Sequence, residues 1–565
     1  MGDRTDYVPT HTGRQVLPNL PFFHKLLRYA QRKPARIAIR DVNAGLEKSY
    51  QDLMSDALVL REELKRNLKP ETLQQLSEDK EIYIGLLAPG GYEYTVGFIA
   101  ILALGAAVVP LASAIPVEEA SYFLHKAQCV ALLVGEINAS LGQSTIRSLG
   151  ETRNFHIPCL APIASCFASH ATPADEIVVS SNRMLDMNGA SAVIFTSGTT
   201  GPPKGAVQRR TWLTGNAEAD ADFYHITEQD VVLHVLPVHH ASGVGLTFLP
   251  FIIAGACIEF RSGSFDTVWT WERWRRGGLS FFSAVPTIYM RMMRYYEEVI
   301  SQKSSRECDE FISGARNIRT MLCGSSALPG PVQDFWETLR QSPILTRYGA
   351  TEFGAVIKTD LDPSHTPRNS VGRVVESVSL RLEADGHLLV KCPYMFSKYL
   401  HDEKATIEAH TKDGYFRSGD IARREGPYYF ILGRASVDII KSGGYKISAL
   451  DVEREILGLD YVAEVMVVGV EDEEFGQRVA ATISLKKGSH GIGRSLTLER
   501  LRQDLRDKLT SYRMPTILRV VEDELPKSGT AKVQKKVLGP IYFPPHYRNL
   551  PDVQVWESGG WKAKI

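Results

Sequence analysis

Two rhythms of apolar residues alternate along the first four hundred residues or so. Short, often β-branched apolar runs at 36–40, 82–87, 108–111, 131–134, 191–195, 231–237, 281–287 and 318–323 predict buried strands. Between them, stretches with apolar residues at helical spacing predict helices over 22–29, 50–65 and 117–126, and a further amphipathic helix carries Ile288, Met292 and Tyr295 on one side. Such alternation is the pattern of an α/β layer fold built on parallel sheet. The longest apolar run, 96–115, could cross a bilayer by length alone, but Gly105 and Pro110 divide it into a buried helix (96–104) and a strand (108–111). Residues 69–80 are polar and read as a solvated segment, and an extended arm with Pro9, Pro18 and Pro21 precedes the first helix.

Near Gly433-Arg434 the chain becomes more charged and the rhythm changes. A helix over 451–457, strands over 464–470 and 478–485, and a helix over 498–509 suggest a separate α+β domain of about a hundred residues. From 546 onward a Pro/Gly/Lys tail follows. The expected division is 1–434, 435–545 and a tail, 546–565.

Composition narrows the classes. The length of 565 residues suggests two to four compact units at a soft prior of roughly 150 residues each. With 44% hydrophobic and 23% charged residues the chain is globular, and 65 basic against 65 acidic residues give no support for nucleic acid or an anionic membrane as main partner. Seven scattered cysteines without a C-x-x-C pair argue against zinc and a disulfide framework, and for a reducing compartment. There is no apolar signal core, and Asp6 stands where a myristoylation motif needs Ser or Thr. The final Ala563-Lys564-Ile565 is similar to a relaxed peroxisomal tripeptide, which leaves cytoplasm, peroxisome and mitochondrion open.

The candidate chemistry begins after the strand at 191–195. Thr196-Ser197-Gly198-Thr199-Thr200-Gly201-Pro202-Pro203-Lys204-Gly205 offers glycines for close backbone approach, hydroxyl donors and a compact cation, a make-up suited to phosphate. The spacing is not that of a Walker A loop, and the competing reading is a Gly/Ser/Thr linker. Further along, Tyr348-Gly349-Ala350-Thr351-Glu352, Tyr415-Phe416-Arg417-Ser418-Gly419-Asp420, Gly433-Arg434 and Lys532 follow in order. In content, order and separation these segments resemble the adenylate-forming superfamily of acyl-CoA synthetases, peptide-synthetase adenylation domains and beetle luciferases.

The resemblance implies the adenylate-forming fold, with a large multi-lobed N-terminal domain and a small mobile C-terminal lid. It implies ATP, Mg2+ and coenzyme A as reactants. ATP would be held by 196–204, by the small residues Gly324, Ser325 and Ser326, by Tyr348, Gly349 and Thr351, and by Asp420 and Arg434 at the ribose. Glu352 would hold Mg2+, which suits an ion bound by one or two carboxylates plus phosphate oxygens. Lys532 would bridge the acid carboxylate and the α-phosphate, with Thr351 and Glu352 as catalytic partners. Lys441, Gly443, Gly444, Tyr445 and Lys446 resemble the wall of the pantetheine tunnel. The hinge segment Ala435-Ser436-Val437-Asp438 is one residue longer than usual, so Ser436 and Val437 both remain candidates for the pivot.

Residues 436–453 and 234–240 are most similar to the malonyl-CoA synthetase branch. That likeness implies an acid pocket with His240, Ala350, Arg319 for a distal carboxylate, and Lys358 where the branch has serine. The adjacent His239 and His240 lack carboxylate or cysteine at ligand spacing, which argues against a metal site. The expected activity is ATP-dependent ligation of a carboxylic acid to CoA, the acid being malonate, another short dicarboxylate or a specialised metabolite. Loading of a carrier protein is the alternative acceptor chemistry, and a non-catalytic nucleotide-binding regulator is the alternative class.

Overall fold

The computed structural model describes residues 13–160, 162–196, 202–486, 496–527 and 533–556. Its largest sheet has thirteen strands. The centre is a parallel run in the order Leu345–Ala350, Thr320–Cys323, Phe281–Ala284, Val231–His234, Cys257–Phe260, Ile37–Asp41. Antiparallel strands extend it on one side through Gly354–Lys358 to the hairpin Phe416–Glu425/Tyr428–Arg434. A second, seven-stranded sheet has Tyr83–Leu87 between Ala107–Leu111 and Ala131–Val134, all parallel. Beside Ala107–Leu111 runs Ala190–Thr196, then the antiparallel strand Lys204–Arg209 and the edge strand Lys398–Tyr399. The strands of the parallel runs are buried on both faces, which explains their continuous rather than alternating apolar sequence.

The apolar run at 96–115 is the interior of this body. The helix Tyr92–Leu104 is buried throughout and ends at Gly105, whose φ of 96° is a left-handed position that suits glycine. Phe98 and Tyr94 pack edge-on against Phe248, with ring centroids 5.4 and 5.8 Å from it. Thirteen residues fall short of a bilayer, and no described helix is long and apolar enough to cross a membrane.

Three segments differ from the expectation. Residues 69–80 contain the helix Pro70–Ser77, opened by a proline at its first position, and Thr72 and Leu76 are buried. The helix expected over 498–509 stops at Asp504. Between 547 and 556 the chain belongs to the C-terminal sheet: Val553–Val555 pairs antiparallel with Ile517–Val521, and Tyr547 and Val553 are buried. The alternation Val-Gln-Val was the available signal, too short to stand out among prolines.

The large sheet ends its last hairpin at Arg434, and the C-terminal sheet begins with Ile439–Ser442. Its long pair Val462–Asp472/Gly476–Leu485 is covered by the helix Ala449–Leu457, whose N-cap Ser448 accepts from the Asp451 amide. Beside this helix, Lys535 is buried between two carboxylates, 2.7 Å from Asp438 Oδ1 and 2.8 Å from Glu453 Oε1. The same Glu453 oxygen accepts from the Val467 amide, and Asp438 Oδ2 accepts from the Arg434 amide at 3.0 Å. Removing one member of a buried charge group leaves the others uncompensated, typically at about 3–5 kcal/mol. Lys535→Met is therefore expected to destabilise the C-terminal body by about 3 kcal/mol or more, read as a lower urea midpoint.

Candidate active site

The carboxyl ends of the parallel strands meet along one edge, where an α/β sheet presents its ligands. Thr320–Cys323 delivers Gly324, Ser325 and Ser326 there, with Ser325 in the left-handed region at φ 68° and both serines exposed. The neighbouring strand Leu345–Ala350 carries Tyr348 and Gly349 into a bulged hairpin with Gly354–Lys358. A Cβ at Gly349 would lie 2.1 Å from the Gly354 carbonyl oxygen, so only glycine allows the close return. Phe353, buried against Tyr348 and Phe416, anchors the turn that presents Thr351 and Glu352.

Glu352 meets residues from the other sheet. Its Oε1 accepts from Tyr399 Oη at 2.7 Å, and Lys204 Nζ stands 5.2 Å from the centroid of the Tyr399 ring. Burial and the Glu352 carboxylate hold the Tyr399 phenol far above its ordinary range, so it remains a donor. These three residues share a cleft with Ala350, Arg417 and Arg434. The Thr351 carbonyl accepts from Gln208 Nε2 at 2.9 Å, which ties the turn to the strand after the candidate phosphate loop. That loop joins two antiparallel strands, with Thr196 opposite Lys204. The Pro203 carbonyl accepts from Tyr122 Oη, and Pro202 is described as well. Ser197, Gly198, Thr199, Thr200 and Gly201 lie outside the described residues, as do Lys532 and Ala563-Lys564-Ile565.

Asp420 is buried, and both of its oxygens are engaged. Oδ2 accepts from Tyr348 Oη at 2.6 Å, and Oδ1 lies 3.1 Å from Arg434 Nε, the residue opposite it in the hairpin. Tyr348 thus braces Asp420, and burial with that carboxylate raises its phenol well above the usual range.

On the C-terminal body, Ile439–Ser442 and Tyr445–Ser448 form a hairpin with Gly443-Gly444 as its two-residue turn, at φ of 55° and 84°. Positive φ at both positions is the demand of a type I′ turn, and the paired glycines meet it. Lys441 and Lys446 are exposed on its strands, and Tyr445 stacks on Tyr512 at 4.2 Å.

Two of the expected acid-pocket residues have partners within the chain. Arg319 precedes its strand and so lies at the amino end, away from Gly324: five residues of strand span about 16 Å. Its guanidinium is taken up by Asp230 at 2.9 Å and by the carbonyls of Tyr224 and His225, and it lies over the Phe281 ring. Lys358 is not an open cation, because its ammonium is buried in an ion pair with Asp220. His240 is half-buried, its Nδ1 paired with Ser242 Oγ at 2.9 Å at the start of a short helical turn. The sequence reading missed Tyr399 and Gln208. Each is isolated among ordinary strand residues and becomes notable only when distant strands pair.

With this geometry in view, likeness to known proteins is informative. Residues 26–400 match the AMP-binding enzyme family and residues 451–532 its C-terminal domain. A CoA ligase of Gibberella moniliformis is 31% identical, over 93% of this chain and 94% of its own. A mitochondrial malonate–CoA ligase of Xenopus laevis is 33% identical, over 82% and 83% of the two chains. Among solved structures, ATP-bound MatB from Rhodopseudomonas palustris superposes with a TM-score of 0.75 at 23% identity, over 93% of this chain and 99% of that one. The chain belongs to the AMP-binding enzyme family, and its fold is the adenylate-forming fold.

The loop after Val231–His234 supplies a pH test. Burial pushes His234 and His239 down to about 4 from an ordinary 6.5, against a bond between His234 Nε2 and the Gly243 carbonyl. The unfolded chain then binds protons more readily than the folded one between pH 6.5 and 4. Stability is complete above 6.5 and falls as pH drops through this window, by about 1.4 kcal/mol per unit per histidine. His239→Gln should flatten the fall in thermal midpoint over that window.

Proposed function

We propose that this protein is an ATP-dependent acid–CoA ligase acting on malonate or a related short dicarboxylic acid. The observation that carries the reading is extended identity to malonate–CoA ligases across nearly the full chain, together with Lys204, Glu352 and Tyr399 converging from two sheets. In the first half-reaction the acid carboxylate attacks the α-phosphate of ATP, giving acyl-AMP and pyrophosphate. In the second the CoA thiol attacks the acyl carbon and AMP leaves.

The residues fit these demands. Lys204 supplies a cation for phosphate, Asp420 accepts from the ribose, and Arg434 holds Asp420 in place. Glu352 has one oxygen engaged by Tyr399 and the other available, which suits a Mg2+ ion held mainly through phosphate oxygens and water. Among the described residues there is no cluster of three metal-ligating side chains that would form an all-protein cage. When bound, the ion neutralises phosphate charge. Lys532 acts as the cation at the developing charge of the adenylation step. The glycine hairpin at 443–444 takes the pantetheine arm when the C-terminal body turns about Ser436 or Val437.

Two measurements test this. A pyrophosphate-release screen across mono- and dicarboxylic acids of rising length should peak at a short dicarboxylate, and a peak at medium-chain fatty acids would overturn the choice of acid. Lys532→Ala should slow pyrophosphate release about 10²–10³-fold, while transfer from supplied malonyl-AMP to CoA stays within a few-fold. Equal loss in both half-reactions would remove the lysine's assigned role.

A further inference from the structure

The segment 396–400 ties the two halves of the candidate site together. Its strand Lys398–Tyr399 lies along the edge of Lys204–Arg209, with Tyr399 opposite Ala206. The Leu400 amide donates to the Gly205 carbonyl and the Ser397 amide to the Val207 carbonyl, each at 2.8 Å. A Cβ at Gly205 would lie 3.3 Å from Leu400 Cβ, so the segment packs closely on the strand that leaves the candidate phosphate loop. Toward the other sheet, the Phe396 amide donates to the Glu352 carbonyl at 2.8 Å, and Tyr399 Oη donates to Glu352 Oε1 at 2.7 Å. One piece of chain thus holds Glu352 by both its backbone and its side chain. The neighbouring cation Lys398 is paired elsewhere, with Glu81 at 2.7 Å.

Tyr399 meets both charges of the site with different parts of its side chain. The hydroxyl engages the Glu352 carboxylate, while Lys204 Nζ stands over the ring at 5.2 Å from its centroid, within the range of a cation–π contact. Lys204 and Glu352 line one cleft, yet among the described residues no ion pair joins them. A flexible ammonium and a carboxylate sharing a cleft attract each other more strongly than in open water. Closed on each other, they would offer little charge to a phosphate or to a metal ion. The ring that stands between these roles is fixed: the Tyr399 amide donates to Thr406 Oγ1 at 2.9 Å, and the buried Phe396 packs edge-on against it at 4.8 Å.

Resting on the ATP-site reading above, we propose that Tyr399 is a positioning residue that keeps Lys204 and Glu352 apart, its hydroxyl holding one oxygen of the carboxylate and its ring face holding the ammonium. The cation then stays available to phosphate, and the second Glu352 oxygen to a metal ion, before the nucleotide arrives. The two parts of the side chain have separable tasks. The hydroxyl aims the carboxylate, and the ring keeps the ammonium from it.

The test is equilibrium binding of ATP to the full chain without any acid, so that nothing turns over, first in EDTA and then with Mn2+ as a paramagnetic probe. Tyr399→Phe keeps the ring: ATP affinity in EDTA should stay within about two-fold, while Mn2+ binding to the ATP complex weakens about 10-fold. Tyr399→Leu loses both parts, and ATP affinity in EDTA should fall about 10-fold, as expected for losing one charge-assisted contact to phosphate. Glu352→Gln then identifies the cause. Added to Tyr399→Leu it should recover about 10-fold in metal-free ATP affinity, against about two-fold or less when added to wild type. A tyrosine that only packs the strand gives additive effects, so an additive cycle overturns the ring's part, and undiminished Mn2+ binding in Tyr399→Phe overturns the hydroxyl's. If Tyr399→Leu does not fold, Mn2+ binding by Tyr399→Phe decides. If wild type binds no ATP with or without Mn2+, the reading of the ATP site fails first. If wild type binds ATP and the cycle is additive, only the role of Tyr399 fails.

Discussion

The buried carboxylate of Asp420 is the contact on which the rest of the molecule turns. Tyr348 reaches it from the last parallel strand, and Arg434 from the strand that leads out of the large sheet. The backbone amide of Arg434 then donates to Asp438, and Asp438 shares Lys535 with Glu453 inside the C-terminal body. A single polar line therefore runs from the nucleotide edge through the junction into the small sheet. Tyr348 and Asp420 are buried and Asp438, Glu453 and Lys535 largely so, and losing one of them leaves a neighbour unsatisfied, while Arg434 is exposed.

This line explains why the junction is short and tight. At Gly433 φ is 127°, and a Cβ there would come within 2.4 Å of the Asp438 side chain. The chain doubles back close to itself before entering the second body. Under the proposed function, rotation about this segment would change the Asp438 contacts while leaving the Tyr348–Asp420 bond in place.

Much of the fold was legible in the sequence because its strands are buried on both faces and its helices are strongly amphipathic. The run from Ala131 to Val134 and the helix Val117–Lys126 could be placed to the residue. The strand exit at Gly324 was legible because a buried apolar run ends there in glycine and small polar residues. The acid pocket was not. Arg319 stands at the right distance along the chain and at the wrong end of its strand, and no periodicity distinguishes the two. Lys358 looked open because Asp220, far away in the chain, is its partner.

The short strand Val553–Val555 also protects a sheet edge. It closes the outer flank of Ile517–Val521, whose amides and carbonyls would otherwise face solvent as a ready template for a foreign strand. Trimming from that end would uncover such a template before it disturbed any reacting group, so loss of solubility would come ahead of loss of chemistry.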